Sequence, residues 1–156
     1  MSHKPREFKR WHMYLLIIMI VVAIGYKLYS SIWPKGIVVI GGETISVLVA
    51  NNFPHLYKGW SDRDSMGEYG GMLFVFLRKD QHAMVMRNMR FPLDIVWLNG
   101  NTIVDIAPNA VPEPGRSESQ LTPYFARLPS TFVLELPAGF TSKYGVKVGD
   151  TIKLSY

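Results

Sequence analysis

A chain of 156 residues is about the length of one ordinary domain, and a hydrophobic share of 48% is enough to build a core. The formal charge of +5 lies wholly in the first 35 residues, where Lys4, Arg6, Lys9, Arg10, Lys27 and Lys35 stand against Glu7; residues 36–156 hold eleven basic and eleven acidic side chains. That balance leaves no basic excess to neutralise phosphates, so no nucleic-acid partner is expected, and the absence of cysteine excludes disulfides, thiolate nucleophiles and Cys-ligated zinc or iron–sulfur centres.

Residues 1–10 read as a basic cytoplasmic tail. From Trp11 to Trp33 the chain is apolar over 23 residues, interrupted by Lys27, Ser30 and Ser31. An α-helix needs about 20 residues to cross a bilayer core. The unbroken apolar part, Met13–Tyr26, is shorter than that, so the span requires Lys27 to snorkel toward the interface. Trp11 and Trp33 then stand as interfacial aromatics, and the basic cluster ahead of Trp11 predicts a single pass with the N-terminus inside and the domain outside. The alternative is a cleaved signal peptide with Ala23-Ile24-Gly25 as its small-residue site, which leaves the domain secreted or periplasmic. Trp33 favours the retained anchor. Either way the domain is exported.

Pro34-Lys35-Gly36 breaks the chain and opens a linker and first strand over residues 34–43, ahead of a β-rich domain over 44–156. Ile37–Ile40 and Thr44–Ala50 are β-branched runs joined by Gly41-Gly42-Glu43, a first hairpin. His55–Met66 is polar with a helical turn. Met72–Leu77 is a continuous apolar strand, Arg78-Lys79-Asp80 a charged turn, and Ala83–Met86 a short strand. Leu93–Leu98 and Thr102–Ala107 flank Asn99-Gly100, a strong signal for a type I′ hairpin turn. Val111–Ser130, with four prolines, reads as a surface excursion. Thr131–Leu136 is a strand, Phe140–Tyr144 a helical turn and Thr151–Ser155 a last strand. Some eight short strands without a long amphipathic helix in the domain predict a mainly β fold, an antiparallel sandwich or partly closed barrel.

Lys58-Gly59-Trp60 with Arg63, then Gly71-Met72-Leu73-Phe74-Val75-Phe76, then Met86-Arg87-Asn88 with Pro92-Leu93-Asp94-Ile95, resemble in order and spacing the domain of unknown function 192 family, also called uncharacterised protein family 0127. Val133-Leu134-Glu135-Leu136-Pro137-Ala138-Gly139 and Val148-Gly149-Asp150 match its C-terminal signatures. The resemblance runs from about Thr44 to the C-terminus and implies a compact, jelly-roll-like β domain, often behind a signal or anchor, with no activity established for the family as a whole. The chain departs from the pattern where Met84-Val85 replaces Phe-Trp, Trp60 replaces Leu and Met89 replaces Thr.

Five residues are ligand-binding candidates: Arg63, Arg87, Asn88, Asp94 and Glu135. Arg87, Asn88 and Asp94 flank an apolar segment, and an Arg and a carboxylate on a rigid sheet can orient a polar ligand. The bland alternative is that Asn88 caps a turn and Asp94 satisfies backbone N–H groups. Arg63 is a possible partner for Glu135, although the alternation in Phe132–Leu136 also permits a solvent-facing Glu135.

No metal or cofactor is expected. Asp62-x-Asp64-x-x-Gly67 starts like a calcium loop but has Met66 and Leu73 where that motif needs acidic ligands. His55 and His82 stand 27 residues apart with no ligand at metal spacing. Met72, Met84, Met86 and Met89 read as core filler before they read as a soft-metal site. The serine elbow, the P-loop and the dinucleotide fingerprint are missing. Two functions follow as expectations: a non-catalytic envelope module that binds an envelope ligand or protein partner, or a carbohydrate-acting enzyme using two of Asp94, Asp105 and Glu135.

Overall fold

The computed structural model describes residues 10–156, so the expected basic tail, Arg10 apart, lies outside the described residues. Two compact units result, one ending at Ile32 and one spanning Trp33–Tyr156.

Among the described residues the first unit holds one helix, α1 (Arg10–Ser31), with none of its 22 residues buried. It is long and apolar enough to cross a membrane, since 22 residues of helix reach about 33 Å. Ser30 and Ser31 interrupt the apolar run without leaving bare hydroxyls, because their Oγ atoms donate to the Lys27 and Leu28 carbonyls at 3.0 and 2.7 Å. Trp33, expected as an interfacial aromatic at the end of the span, instead stacks on His55 within the second unit, centroid to centroid at 4.0 Å.

The second unit is β-rich. Strands β1 (Lys35–Ile40) and β2 (Glu43–Ala50) form the expected hairpin around Gly41-Gly42. The next strand, β3 (Gly71–Asp80), runs parallel to β2, with Val47 opposite Gly71. This pair departs from an all-antiparallel expectation. A parallel pair needs a crossover of a dozen or more residues, and residues 51–70 supply it, carrying helix α2 (Phe53–Lys58). Arg78-Lys79-Asp80, expected as a turn, continues β3.

β4 (Ala83–Met84) is shorter than expected and pairs with β7 (Tyr124–Phe125), a strand hidden in the proline-rich excursion. β5 (Leu93–Asn99) and β6 (Thr102–Ala110) form the second hairpin. Its turn sits one residue later than the Asn-Gly signal implies. Asn99 pairs with Thr102, so Gly100-Asn101 are the central residues, and only Gly100 has positive φ, 58°. Glycine first is the type II′ pattern, not the expected I′. A 3-10 helix (Glu118–Gln120), β8 (Ser130–Pro137), α3 (Phe140–Lys143) and β9 (Lys153–Ser155) complete the chain.

The main sheet has seven strands in the order β6-β5-β8-β3-β2-β1-β9. Its ends meet where Thr102 bridges Thr151, reinforced by Ile103 N donating to Asp150 O and Ile152 N to Asn101 O, both at 2.9 Å. The curl makes a partly closed barrel. Strand alternation then sends two sets of side chains to two cores. Val47, Val49, Leu73, Val96, Leu134 and Leu136 fill the interior with residues from β1, β6 and the C-terminal segment. Leu48, Met72, Phe74, Ile95, Trp97 and Val133 face outward and are covered by the crossover and the loops, through Trp60, Met66, Met84, Met86 and Met89.

Candidate functional site

β8 lies near the middle of the sheet, and Glu135 pairs across it with Met72 of β3 and Ile95 of β5. It shares its parity with Val133, so its side chain belongs to the outward face and enters the second core under the cover. Glu135 is 5% exposed, and the solvent-facing alternative is thereby corrected. No hydrogen bond or ion pair reaches it among the described residues. Burial with nothing to offset it pushes its carboxyl up to about 8.

The expected Arg63–Glu135 pair does not form. Arg63 places its guanidinium 5.2 Å from the ring centroids of both Trp33 and Trp60, a cation–π arrangement that keeps the charge outside the core.

Glu135 lines a cavity of about 250 Å³. The crossover builds one wall. Asn52 caps α2, its Oδ1 accepting from His55 N at 3.0 Å, and Pro54 follows in the first turn. The cap sets Phe53 and Tyr57 at the mouth, stacked at 6.3 Å. Gly59 ends the helix at φ 48°, ψ −133°, a conformation that disfavours side chains, and there a Cβ would sit 3.3 Å from the Phe74 ring. Trp60 follows, 1% exposed, and Nε1 is the fully enclosed side-chain polar atom without a hydrogen-bond partner among the described residues. Met84 and Met89 also line the cavity.

Two cations line this cavity, and both are neutralised. Arg87 donates from Nε and Nη2 to the two carboxylate oxygens of Glu118, from Nη1 to Tyr57 O at 2.7 Å, and stacks 4.0 Å from the Tyr57 ring centroid. The Glu118 hydrogen bond holds Arg87 above its usual range and Glu118 below its own. Lys58 pairs with Asp62 at 3.4 Å.

The other candidates are held by the fold. Asn88 adopts φ 49°, a left-handed position Asn tolerates, and its carbonyl accepts from Asp62 N at 3.0 Å. With Ser61 Oγ donating to Arg87 O at 2.7 Å, this turn clamps the crossover to the sheet cover. Asp94 is wholly buried. Its oxygens accept from Asn109 N, Gly139 N, Thr141 N and Thr141 Oγ1 at 2.6–3.0 Å. Burial pushes the Asp94 carboxyl up, but the Thr141 hydroxyl and the three amides outweigh it and hold it below the usual range. Asp105 accepts from Arg127 N, Nε and Nη2 at 2.6–2.8 Å and from Ile106 N at 2.9 Å.

Of the sequence candidates, the structure therefore brings Arg87 and Glu135 to one cavity and leaves Arg63, Asn88 and Asp94 outside its lining. Asp105 does not line it either. Sequence reasoning missed Tyr57, Trp60 and Phe74 as walls; the departure from the family pattern at Trp60 was the one available signal. No group of three or more His, Asp or Glu side chains gathers to hold a metal among the described residues.

Solved structures carry the same fold. A protein from Sinorhizobium meliloti 1021, provisionally named a transcription regulator, is 32% identical, with 78% of this chain and 95% of that one covered at a TM-score of 0.68. A protein of unknown function from Novosphingobium aromaticivorans DSM 12444 is 28% identical, with 78% and 84% covered at a TM-score of 0.64. No curated protein matches the chain. The model of DUF192, an uncharacterized ACR family, matches residues 36–154, nearly all of the β domain and most of the chain. The chain belongs to the DUF192 family.

Proposed function

We propose that this protein is a membrane-anchored extracytoplasmic binding module of the cell envelope, with its ligand site in the cavity over Glu135. The observation that carries the reading is a buried carboxyl without a partner, lining an apolar and aromatic cavity. Its oxygens are not sealed in the packing but reach the cavity, where a ligand can supply the missing bond. Trp60, another lining residue, contributes its ring to the wall, while its enclosed Nε1 stays inside the packing. The anchor is α1, and the basic residues ahead of it orient the domain outward by the positive-inside rule.

The enzymatic alternative needs two carboxyls flanking one glycosidic bond. Glu135 stands alone in the cavity lining, while Asp94 and Asp105 are committed to backbone and to Arg127. Nor does the charge of the domain favour the transcriptional role named for the Sinorhizobium protein, because residues 36–156 carry no basic excess.

The test is a thermal-shift screen of the full chain in a neutral detergent against sugars, cell-wall fragments, nucleotides, amines and divalent metals. A ligand at about 100 times its Kd adds about 2.7 kcal/mol, a visible shift. A hit lost in Glu135→Gln supports the reading. Turnover of a hit, abolished by the same substitution with the fold intact, replaces binding by catalysis. Intact-mass measurement of the membrane-bound chain separates the anchor from a cleaved signal, and a reporter fused at the C-terminus reads the side on which the domain lies.

A further inference from the structure

We infer that the ligand is an organic ammonium ion, with the Glu135 carboxylate as its counter-ion and the surrounding rings and thioethers as its apolar seat. This rests on the cavity being a ligand site and names the chemistry that it selects.

The argument is a charge balance of the lining. Its cations are Arg87 and Lys58, held by Glu118 and Asp62 respectively. Its acid is Glu135, held by nothing. Glu135 is therefore the lining carboxyl without a partner, and the complement of its ionised form is a cation. The walls narrow the class. Phe53, Trp60 and Phe74, with Met84 and Met89, line the same space. Aromatic and thioether side chains beside a carboxylate suit alkylated or aryl-bearing ammonium groups, whose charge is spread over carbon and whose desolvation costs less than that of a small inorganic ion. A cavity of about 250 Å³ admits a molecule of roughly choline or benzylammonium size and little more.

The same geometry couples binding to a proton. Glu135 is held protonated by burial, with its carboxyl near 8. The other ionisable side chains of the lining are Tyr57, Lys58 and Arg87 from the crossover and the loop after β4, while β3 and β5 place Met72 and Ile95 opposite it. A cation therefore has to displace the Glu135 proton. Its apparent affinity scales with the ionised fraction of the free protein, and a carboxyl near 8 makes that rise about tenfold between pH 7 and pH 9.

The experiment is calorimetric titration of the full chain in maltoside micelles with two matched pairs: choline against its uncharged isostere 3,3-dimethylbutan-1-ol, and benzylamine against benzyl alcohol. Choline carries a permanent charge, so its pH profile reads the protein alone. The expected result is binding of both cations, much weaker binding of both alcohols, and choline affinity rising about tenfold across that pH window. Glu135→Gln, an isosteric change, is expected to remove the preference for the cation. Equal affinity within each pair, a flat choline profile, or no binding of either cation would each overturn the inference. In the first case, alcohols competing with choline in the wild type would leave the ligand cavity standing and remove only its preference for charge; a screen without any ligand would remove both.

Discussion

The two faces of the sheet are packed by different rules. The interior face holds Val38, Ile40, Val47, Val49, Leu73, Val96, Leu98, Leu134 and Leu136, aliphatic and largely sealed by the sheet itself. The outer face holds Met66, Met72, Met84, Met86 and Met89 with Trp60, Phe74 and Trp97, covered by segments with little regular structure. Branched side chains with few rotamers define one core, whereas flexible thioethers fill the irregular space between a sheet and loops. The contrast extends to the buried acids. Asp94, on β5, receives four donors and seals the structure around Gly139 and Thr141. Glu135, on the outer face, receives none. One carboxyl holds the fold, and the other is left available. On the proposed reading, stability and ligand binding are divided between parts of the same sheet.

The largest test of that division is Asp94→Ala. It strands three backbone amides and the Thr141 hydroxyl in a buried site. At about 1–3 kcal/mol for each unsatisfied group, the loss is on the order of 5 kcal/mol, enough to unfold many domains. Urea denaturation followed by tryptophan fluorescence reads it, and a loss near zero would mean that Asp94 is not the clamp described. The wild type carries the matching acid signature. A carboxyl held below its usual range contributes stability above its unfolded value and loses it as pH falls through the folded one, so this contribution disappears on the acid side.

Glu135→Leu has the opposite sign. A carboxyl moved from 4.5 to about 8 favours folding only in its protonated form, so its contribution is intact below 4.5 and is lost as pH rises toward 8. At pH 7 that lost contribution is on the order of 3 kcal/mol. Replacing the acid by an apolar side chain is expected to raise the urea midpoint at neutral pH and to flatten the stability slope between about pH 5 and about pH 8. An unchanged slope would place the Glu135 carboxyl in contact with water, and with it would go the contrast to Asp94.

Much of this architecture is legible in the sequence, because local pattern encodes it. The glycine pair after Ile40, the Asn-Gly signal after Leu98 and the β-branched runs locate the two hairpins and the main strands. What local pattern does not encode is which distant strand a run will join. Nothing in Val47–Ala50 or Gly71–Phe74 announces a parallel pair, and the crossover between them is identified only when they meet. The site suffers from the same limit. In Phe132–Leu136 alternation implies one wet face, yet both faces are covered, so Glu135 lies buried where its polarity predicts water. Arg63 is near the right region but takes its stabilisation from the rings of Trp33 and Trp60, and cation–π partners leave no spacing rule. Arg87 was identifiable as polar and motif-bound; its grip on Glu118 spans 31 residues and depends on how the excursion folds back.

A pair of substitutions compares the two packings directly. Leu134→Ala opens a hole in the interior and is expected to cost about 2–5 kcal/mol. Met84→Leu on the outer face keeps the volume among adaptable neighbours and is expected to cost less than about 1.5 kcal/mol. Chemical denaturation of both in one buffer gives the ratio, and similar losses would mean that the outer core is as tightly fitted as the interior.

The smallest effect separates stability from the site most cleanly. Asn52 caps α2 through His55 N and lies 3.0 Å from His55 Nδ1, while His55 stacks beneath Trp33. Asn52→Ala removes the cap, which is ordinarily worth about 1 kcal/mol. The helix it starts has only six residues and carries Phe53 and Tyr57 at the mouth of the cavity. So short a helix draws little from its own hydrogen bonds and relies on its cap and on Leu56 packing against the outer core. The loss is therefore expected to surface locally: faster amide exchange across Phe53–Lys58 and weaker ligand binding, with a drop in global stability of about 1 kcal/mol. Protection lost equally through β3 and β8 would instead tie the mouth rigidly to the sheet, and the division between a sealed interior and an adjustable outer face would fail at the point where it matters for binding.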